Sequence, residues 1–157
     1  MNRLFIIVAL YWGACTTNAQ DYPVKPDTLT AACNWSLYKA KSSNYSDLEQ
    51  KERLRCNHAL YANQLYELEQ RIIAKIRSEE ETFWGPPEER ITPFIRDARY
   101  FRQYATMCDN ITSPNITGSG TSFFVEGCHN RLLKERMAFL EDTYSMKRKP
   151  PYAFIPQ

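Results

Sequence analysis

The chain has 157 residues, of which 43% are hydrophobic and 13% aromatic, and its formal net charge is +2. This length allows one domain, and the apolar content excludes an intrinsically disordered protein. The weak charge gives no support to nucleic-acid binding. The single long apolar run lies at the N-terminus, which argues against a membrane-embedded protein.

The N-terminal segment is organised like a secretory signal peptide. A short basic region precedes an apolar run over residues 4–12, which is too short to span a bilayer. Small residues ahead of Ala19 predict cleavage after it, so residues 1–19 would be removed. Lipoprotein processing at Cys15 is the alternative, and the residues before it match a lipobox less well. We therefore predict an exported protein, periplasmic or secreted, with no transmembrane segment after cleavage.

Two helices are predicted in the first half of the mature chain. Residues 20–27 contain two prolines and are expected to form an extended lead-in, followed by a first helix over about residues 28–41. A second helix begins with a capping box, in which Ser46 is the N-cap and Glu49 is at N3. It contains no Gly or Pro before its predicted end near residues 79–81. Its apolar stripe has helical spacing: Tyr61, Leu65, Leu68, Ile72 and Ile76.

A third helix and a polar loop are predicted after a Gly-Pro-Pro sequence. The helix is expected to start with Thr92 as N-cap and Pro93 at N1, where the missing N–H does no harm. Apolar residues at helical spacing continue to Cys108, which would lie on the buried face. Residues 109–122 are rich in Ser, Asn, Thr and Gly, and this composition predicts a loop.

A fourth helix and a tail complete the predicted architecture. The helix would cover about residues 123–146 and bury one apolar face. A basic, proline-rich tail follows over residues 147–157. The predicted fold class is therefore all-α, with a small bundle of about four helices over residues 28–146 that is stapled by two disulfides.

The mature chain would retain four cysteines: Cys33, Cys56, Cys108 and Cys128. An even number in an exported chain predicts disulfides. We favour sequential pairing, which would join the first two helices and the last two; the crossed pairings remain open. His58 and His129 lie beside cysteines in the sequence, but neither spacing is that of a zinc site. No metal and no cofactor is predicted.

The second half has a recognisable order of motifs. An aromatic and arginine-rich helix, which includes residues 95–101, leads to Cys108; Gly118-Ser119 follows, and then a helix that begins at Cys128 and carries Arg136. This order resembles the bacterial LprI-like lysozyme-inhibitor domain family. The resemblance covers about residues 29–145 and implies a protein that binds a lysozyme.

Two tyrosines depart from the pattern of that family. Tyr100 stands where Trp is common, and Tyr104 stands where Arg is expected, unless Arg99 or Arg102 takes its place. The cysteine pair formed by Cys33 and Cys56 resembles the paired N-terminal cysteines of the family, although the interval between them is long.

Catalysis is not predicted for this chain. His58 and His129 are its only histidines, both expected at the surface or its boundary, and oxidised cysteines cannot act as thiolates. We expect instead a binding protein that blocks a lysozyme or other cell-wall hydrolase by surface contact. The acidic connection between the second and third helices would steer association, and the polar loop would touch the partner. The candidate contacts are Glu79, Glu80, Glu81, Ile116 and Ser119.

Two other interpretations remain open. The chain has four Asn-x-Ser/Thr sequons, which are more than this composition gives by chance: Asn34, Asn44, Asn110 and Asn115. They favour a eukaryotic secreted, N-glycosylated helical ligand, with Asn110 and Asn115 as the most exposed acceptors. The other interpretation is a periplasmic immunity-like or structural envelope protein.

Overall fold

A computed structural model describes residues 33–39, 46–79, 85–110 and 119–149. The helices in these ranges are α1 (Trp35–Lys39), α2 (Asp47–Ser78), α3 (Pro87–Ala105), a 3-10 helix (Thr106–Asn110) and α4 (Ser119–Thr143). The all-α class, the bundle of four helices and the two disulfides are thus confirmed. The predicted signal peptide, the lead-in and Cys15 lie outside the described residues.

Helix α2 is the central element of the bundle. Its capping box forms as predicted: the backbone N–H of Ser46 donates to Glu49 Oε2 at 2.8 Å, and the N–H of Glu49 donates to Ser46 Oγ. The helix ends at Ser78, next to the predicted position. Its apolar stripe is buried over four of the five predicted positions, and Tyr61 packs beside it.

The core lies where α3 and α4 pack against α2. Phe94 and Ala98 of α3 and Met137 and Leu140 of α4 are each at most 4% exposed. Each fully buried side chain of Leu or Phe size contributes about 1.5–3 kcal/mol to folding. The apolar periodicity therefore predicted the faces that the three long helices bury.

The predicted start of the third helix is wrong. Helix α3 begins at Pro87, with Pro86 as N-cap, so Thr92 and Pro93 lie inside the helix and do not begin it. Ile91, on the turn before Pro93, is only 1% exposed, and its burial against the core favours helical backbone there. Pro93 removes one backbone hydrogen bond and crowds the preceding turn, and the packing of the helix offsets that cost.

The bounds of the first and last helices also differ from the prediction. Helix α4 starts at Ser119, inside the predicted loop, and ends at Thr143, three residues before the predicted end. Helix α1 starts at Trp35, so Asn34 precedes the helix instead of lying within it. Its Oδ1 accepts hydrogen bonds from the Leu37 N–H and the Ser36 hydroxyl, and it therefore caps the helix.

The disulfides follow the favoured sequential pairing. Cys33–Cys56 joins the start of α1 to α2, and Cys108–Cys128 joins the 3-10 helix to α4. Cys56 and Cys108 are fully buried. The second bond therefore fixes the 3-10 helix that follows α3 against the first half of α4.

The residues after α4 turn back along α2. The ammonium of Lys75 donates to the carbonyl of Tyr144, and Arg71 donates to the carbonyl of Lys147 at 2.7 Å. Further along, Gln64 donates to the carbonyl of Lys149. The described part of the predicted tail is therefore packed on the bundle.

Candidate functional site

The predicted contact residues fall in different places. Glu79 ends α2, and its carboxylate accepts a hydrogen bond from Arg90 at 2.7 Å. Ser119 begins α4 instead of lying in a loop. Glu80, Glu81 and Ile116 lie outside the described residues, as does the predicted acceptor Asn115. Asn110, expected in a loop, is the exposed last residue of the 3-10 helix.

A row of large side chains projects from the side of α3 that faces away from the core, and it continues onto the 3-10 helix. Tyr100, Tyr104 and Met107 are 62%, 56% and 43% exposed, at spacings of four and three residues. Phe139 of α4 is 56% exposed. We call these four residues the aromatic face. Exposed aromatic residues and Met of this size are typical of surfaces that bind other proteins.

Arg136 connects the two helices of this face. Its guanidinium lies 5.4 Å from the ring centroid of Phe101 on α3 and 5.7 Å from that of Phe139 on α4. It also forms an ion pair with Asp97. Because the Arg136 side chain is only 8% exposed, these contacts hold the two helices in a fixed relation.

An ion pair between Arg102 and the buried Glu69 joins α3 to α2. Arg102 donates to the carboxylate of Glu69 at 2.8 Å, and the Glu69 side chain is fully buried in α2. A buried carboxylate needs such a partner, because removing a charge from water is costly. The segment that carries Tyr100, Tyr104 and Met107 is therefore held by the ion pairs of Asp97 and Arg102 and by the disulfide of Cys108.

A cleft lies beside the second disulfide. It has a volume of about 300 Å³ and is lined by Phe123, Phe124, Gly127, Cys128 and Arg131. Gly127 contributes to the open space, since a Cβ added there would meet nothing within 4 Å. Phe124 is 57% exposed. The cleft is large enough for an apolar side chain and lies next to the Cys108–Cys128 disulfide.

The two histidines meet on the side of α4 that faces α2. The rings of His58 and His129 are stacked, with centroids 4.9 Å apart and planes inclined by 13°. Nδ1 of His58 lies 3.1 Å from Glu126, and Nε2 of His129 lies 2.9 Å from Asp109. The structure thus brings together two residues that the sequence placed separately, each beside a cysteine.

The hydrogen bond to His58 holds the pKa of Glu126 below its usual range. Burial of the carboxyl opposes this change, and the nearby His129 and Arg55 add to the lowering. Glu126 is therefore an ionised acceptor at neutral pH. In the described part of the chain, the recorded hydrogen bonds of both imidazoles go to carboxylates and none goes to a hydroxyl nucleophile.

Two other polar groupings have structural explanations. Cys33, Cys56 and Glu52 are grouped closely enough to suggest a metal site, but the two sulfurs form a disulfide. Lys75 and Arg90 line a second cleft, where the α2 and α4 helices end. There Lys75 donates to the carbonyl of Tyr144, just after α4, and Arg90 donates to the carbonyl of Ile76, near the end of α2.

The sequence contained one signal for the aromatic face. Tyr100, Tyr104 and Met107 repeat at helical spacing on the side opposite the buried Phe94 and Ala98. A helix with large apolar residues on both sides has one side that a bundle of this size leaves exposed. No comparable signal exists for the histidine contact, because it depends on how α2 and α4 are aligned.

Comparison with models of protein families, with curated proteins and with solved structures finds no match for this chain. No helix among the described residues has the length and apolarity needed to cross a membrane. The two disulfides are compatible with an exported protein.

Proposed function

We propose that this chain is an exported, non-catalytic binding protein that recognises a protein partner through the aromatic face. The observation that carries the proposal is the exposure of Tyr100 and Tyr104 on α3 and of Met107 on the 3-10 helix that follows, in a segment anchored by an ion pair and a disulfide. Exposed apolar side chains that lie together on a protein surface are a common mark of a site for protein–protein interaction.

The composition of this face suits protein recognition. Tyr and Arg are enriched among residues that dominate binding energies, and here Arg136 lies between two phenylalanine rings. A rigid surface loses little conformational entropy on binding, which favours affinity. The Arg102–Glu69 ion pair and the Cys108–Cys128 disulfide would thus keep this surface rigid before the partner binds.

For the partner we propose a lysozyme or a related cell-wall hydrolase. The support is the resemblance of residues 95–140 to the lysozyme-inhibitor domain, whose aromatic helix occupies the position of α3. In this proposal Ile116 and Ser119 supply further contacts with the partner. The acidic residues Glu79, Glu80 and Glu81 steer a basic hydrolase towards this chain. Glu79 contributes less than the other two, because its ion pair with Arg90 offsets its charge.

Surface-plasmon resonance against lysozymes of several classes tests the proposal. Tyr100→Ala combined with Tyr104→Ala should weaken binding by about thirtyfold or more, since a residue central to an interface contributes about 2 kcal/mol. Leu48→Ala is the matched control, because Leu48 is 74% exposed on the first turn of α2 and should not matter. Both proteins should keep the parent melting temperature.

The experiment tests the binding surface and the identity of the partner independently. Unchanged affinity in the tyrosine double variant would remove the aromatic face from the proposal. Absence of binding to every lysozyme at micromolar concentration would remove the hydrolase, and an immunity-like or structural envelope protein would then be the better proposal.

The sequons support a second candidate, a secreted N-glycosylated ligand. The specific observation is that Asn110 is exposed, and an acceptor must be reachable at the surface. Mass spectrometry of the natural secreted protein should then detect glycan on Asn110 or Asn115. Peptides that contain only unmodified asparagine would contradict this candidate.

A further inference from the structure

Two arginines of α3 lie next to the tyrosines of the aromatic face. Arg96 precedes Tyr100 by four residues, and Arg99 follows Arg96 by three, spacings that make side chains neighbours on a helix surface. Arg96 is exposed and Arg99 is partly exposed. The two guanidinium groups therefore add positive charge to the surface that Tyr100 and Tyr104 present.

Arg96 and Arg99 differ from the other arginines that the structure describes. Nine of the eleven described arginines contact a carboxylate or a backbone carbonyl. Within the described ranges, neither Arg96 nor Arg99 forms a hydrogen bond, an ion pair or a ring contact. All five N–H donors of each guanidinium are therefore available to a partner.

Helix α3 has no acid that neutralises these two charges. Asp97 is the only acidic residue between positions 90 and 108, and it is already paired with Arg136. Glu89 lies on the same side of the helix, but it precedes Arg96 by seven residues, which is about 10 Å along the axis. Because neighbouring like charges on a helix repel each other, a carboxylate from outside would stabilise the pair.

We propose that the partner surface that covers the aromatic face carries carboxylates, and that Arg96 and Arg99 bind them. This inference rests on the proposed function, because it concerns the partner of the same face. A guanidinium can bind a carboxylate through two parallel N–H···O bonds, which fix orientation as well as the sign of the charge. The tyrosines would supply buried area, and the arginines would select an acidic surface over a basic one.

This selection differs from steering by the acidic residues at the end of α2. Steering acts at a distance on the net charge of a partner, whereas the two arginines act on groups in contact. The net charge of only +2 favours protein carboxylates over the phosphates of a membrane or a nucleic acid, which strongly basic surfaces bind.

Surface-plasmon resonance against a lysozyme that the parent protein binds is the first test. Arg96→Gln combined with Arg99→Gln should weaken binding at least tenfold and leave the melting temperature unchanged. Arg55→Gln combined with Arg77→Gln is the matched control, since it removes the same charge from α2, where these arginines are 43% and 57% exposed. Equal affinity of the two double variants would overturn the inference, while the tyrosine variant would still test the proposed function separately.

A change on the partner identifies the chemical group that the arginines bind. Amidation of the lysozyme carboxylates with a carbodiimide and glycinamide should weaken binding by the parent at least tenfold. It should weaken binding by the arginine double variant much less, because the same contacts are already lost. An equal loss in both proteins would overturn the inference.

A second probe decides the inference if no lysozyme binds. A random copolymer of glutamate and tyrosine offers carboxylates and aromatic rings, and the parent should bind it at least tenfold more tightly than the arginine double variant does. A copolymer of lysine and tyrosine should not bind. Equal binding of the glutamate copolymer by the two proteins would overturn the inference. Arginine-dependent binding to phosphatidylglycerol vesicles, without binding to the glutamate copolymer, would also overturn it.

Discussion

At the scale of single residues, the carboxylate of Glu69 depends most on a charged partner, because its side chain is fully buried. Arg102→Ala would remove an ion-pair partner of this carboxylate, and we expect it to lower the free energy of unfolding by about 1–3 kcal/mol, since Arg102 is itself partly exposed. Urea denaturation measures this cost. Arg131→Ala is the control, because the Arg131–Glu135 pair is exposed and its loss costs at most about 1 kcal/mol. Equal stability of the two variants would show that Glu69 is not buried as described.

The lowered pKa of Glu126 makes a prediction about acid stability. A carboxyl whose folded pKa lies below its unfolded value of 4.5 stabilises the fold fully above that value. The contribution is lost as the pH falls from there through the folded pKa. Glu126→Gln should therefore flatten the fall in the free energy of unfolding below pH 4.5, relative to the parent. An unchanged pH profile would show that the bond to His58 is absent in solution.

At the scale of helices, apolar periodicity predicted the long elements well and their ends poorly. The stripe of α2 and its Ser46 cap were found because both depend on residues within one helix. The start of α3 was misplaced because Thr92-Pro93 is a good local starting sequence, whereas burial of Ile91 against other helices favours an earlier start. Tertiary packing overrides a local signal in such a case.

Leu68 tests the central helix directly. It is 1% exposed within the core, so Leu68→Asp would place a carboxylate among apolar side chains. The cost of several kcal/mol is comparable to the whole stability of a small domain, and we expect the bundle to unfold. Circular dichroism and thermal melting would show the loss. A variant that melts like the parent would mean that the stripe of α2 faces solvent.

A substitution at Gly127 in α4 is expected to raise the stability of the protein. It lies inside the helix, and a Cβ would meet no atom within 4 Å. Gly127→Ala should therefore stabilise the protein by about 0.5–1 kcal/mol, because alanine loses less backbone entropy in a helix. Thermal melting measures the gain. A lower melting temperature would contradict the open cleft.

At the scale of the whole molecule, the sequence was enough to predict a helical bundle with two staples. The sequential pairing was favoured because each bond joins neighbouring helices, and the structure has that pairing. The histidine contact was out of reach, since neither disulfide connects the segment around His58 to that around His129. It depends on the relative alignment of α2 and α4, which no local pattern specifies.

The candidate binding surface was only partly predictable for a related reason. Loop position and charge predict partner contacts at residues such as Glu79, but Glu79 forms an ion pair with Arg90. The aromatic face lies on a regular helix instead. In the sequence, Tyr100 and Tyr104 are departures from a family pattern, and their exposure depends on how α3 packs against α2, which no local pattern specifies.

The most direct test of the proposed function is lysozyme turnover measured with and without the purified mature protein. We predict that turnover falls as the protein is added and reaches its minimum near one molecule per enzyme. The variant carrying Tyr100→Ala and Tyr104→Ala should leave turnover close to its uninhibited rate at the same concentration. Unchanged turnover of lysozymes of every class, with the folded protein in molar excess, would contradict the proposal.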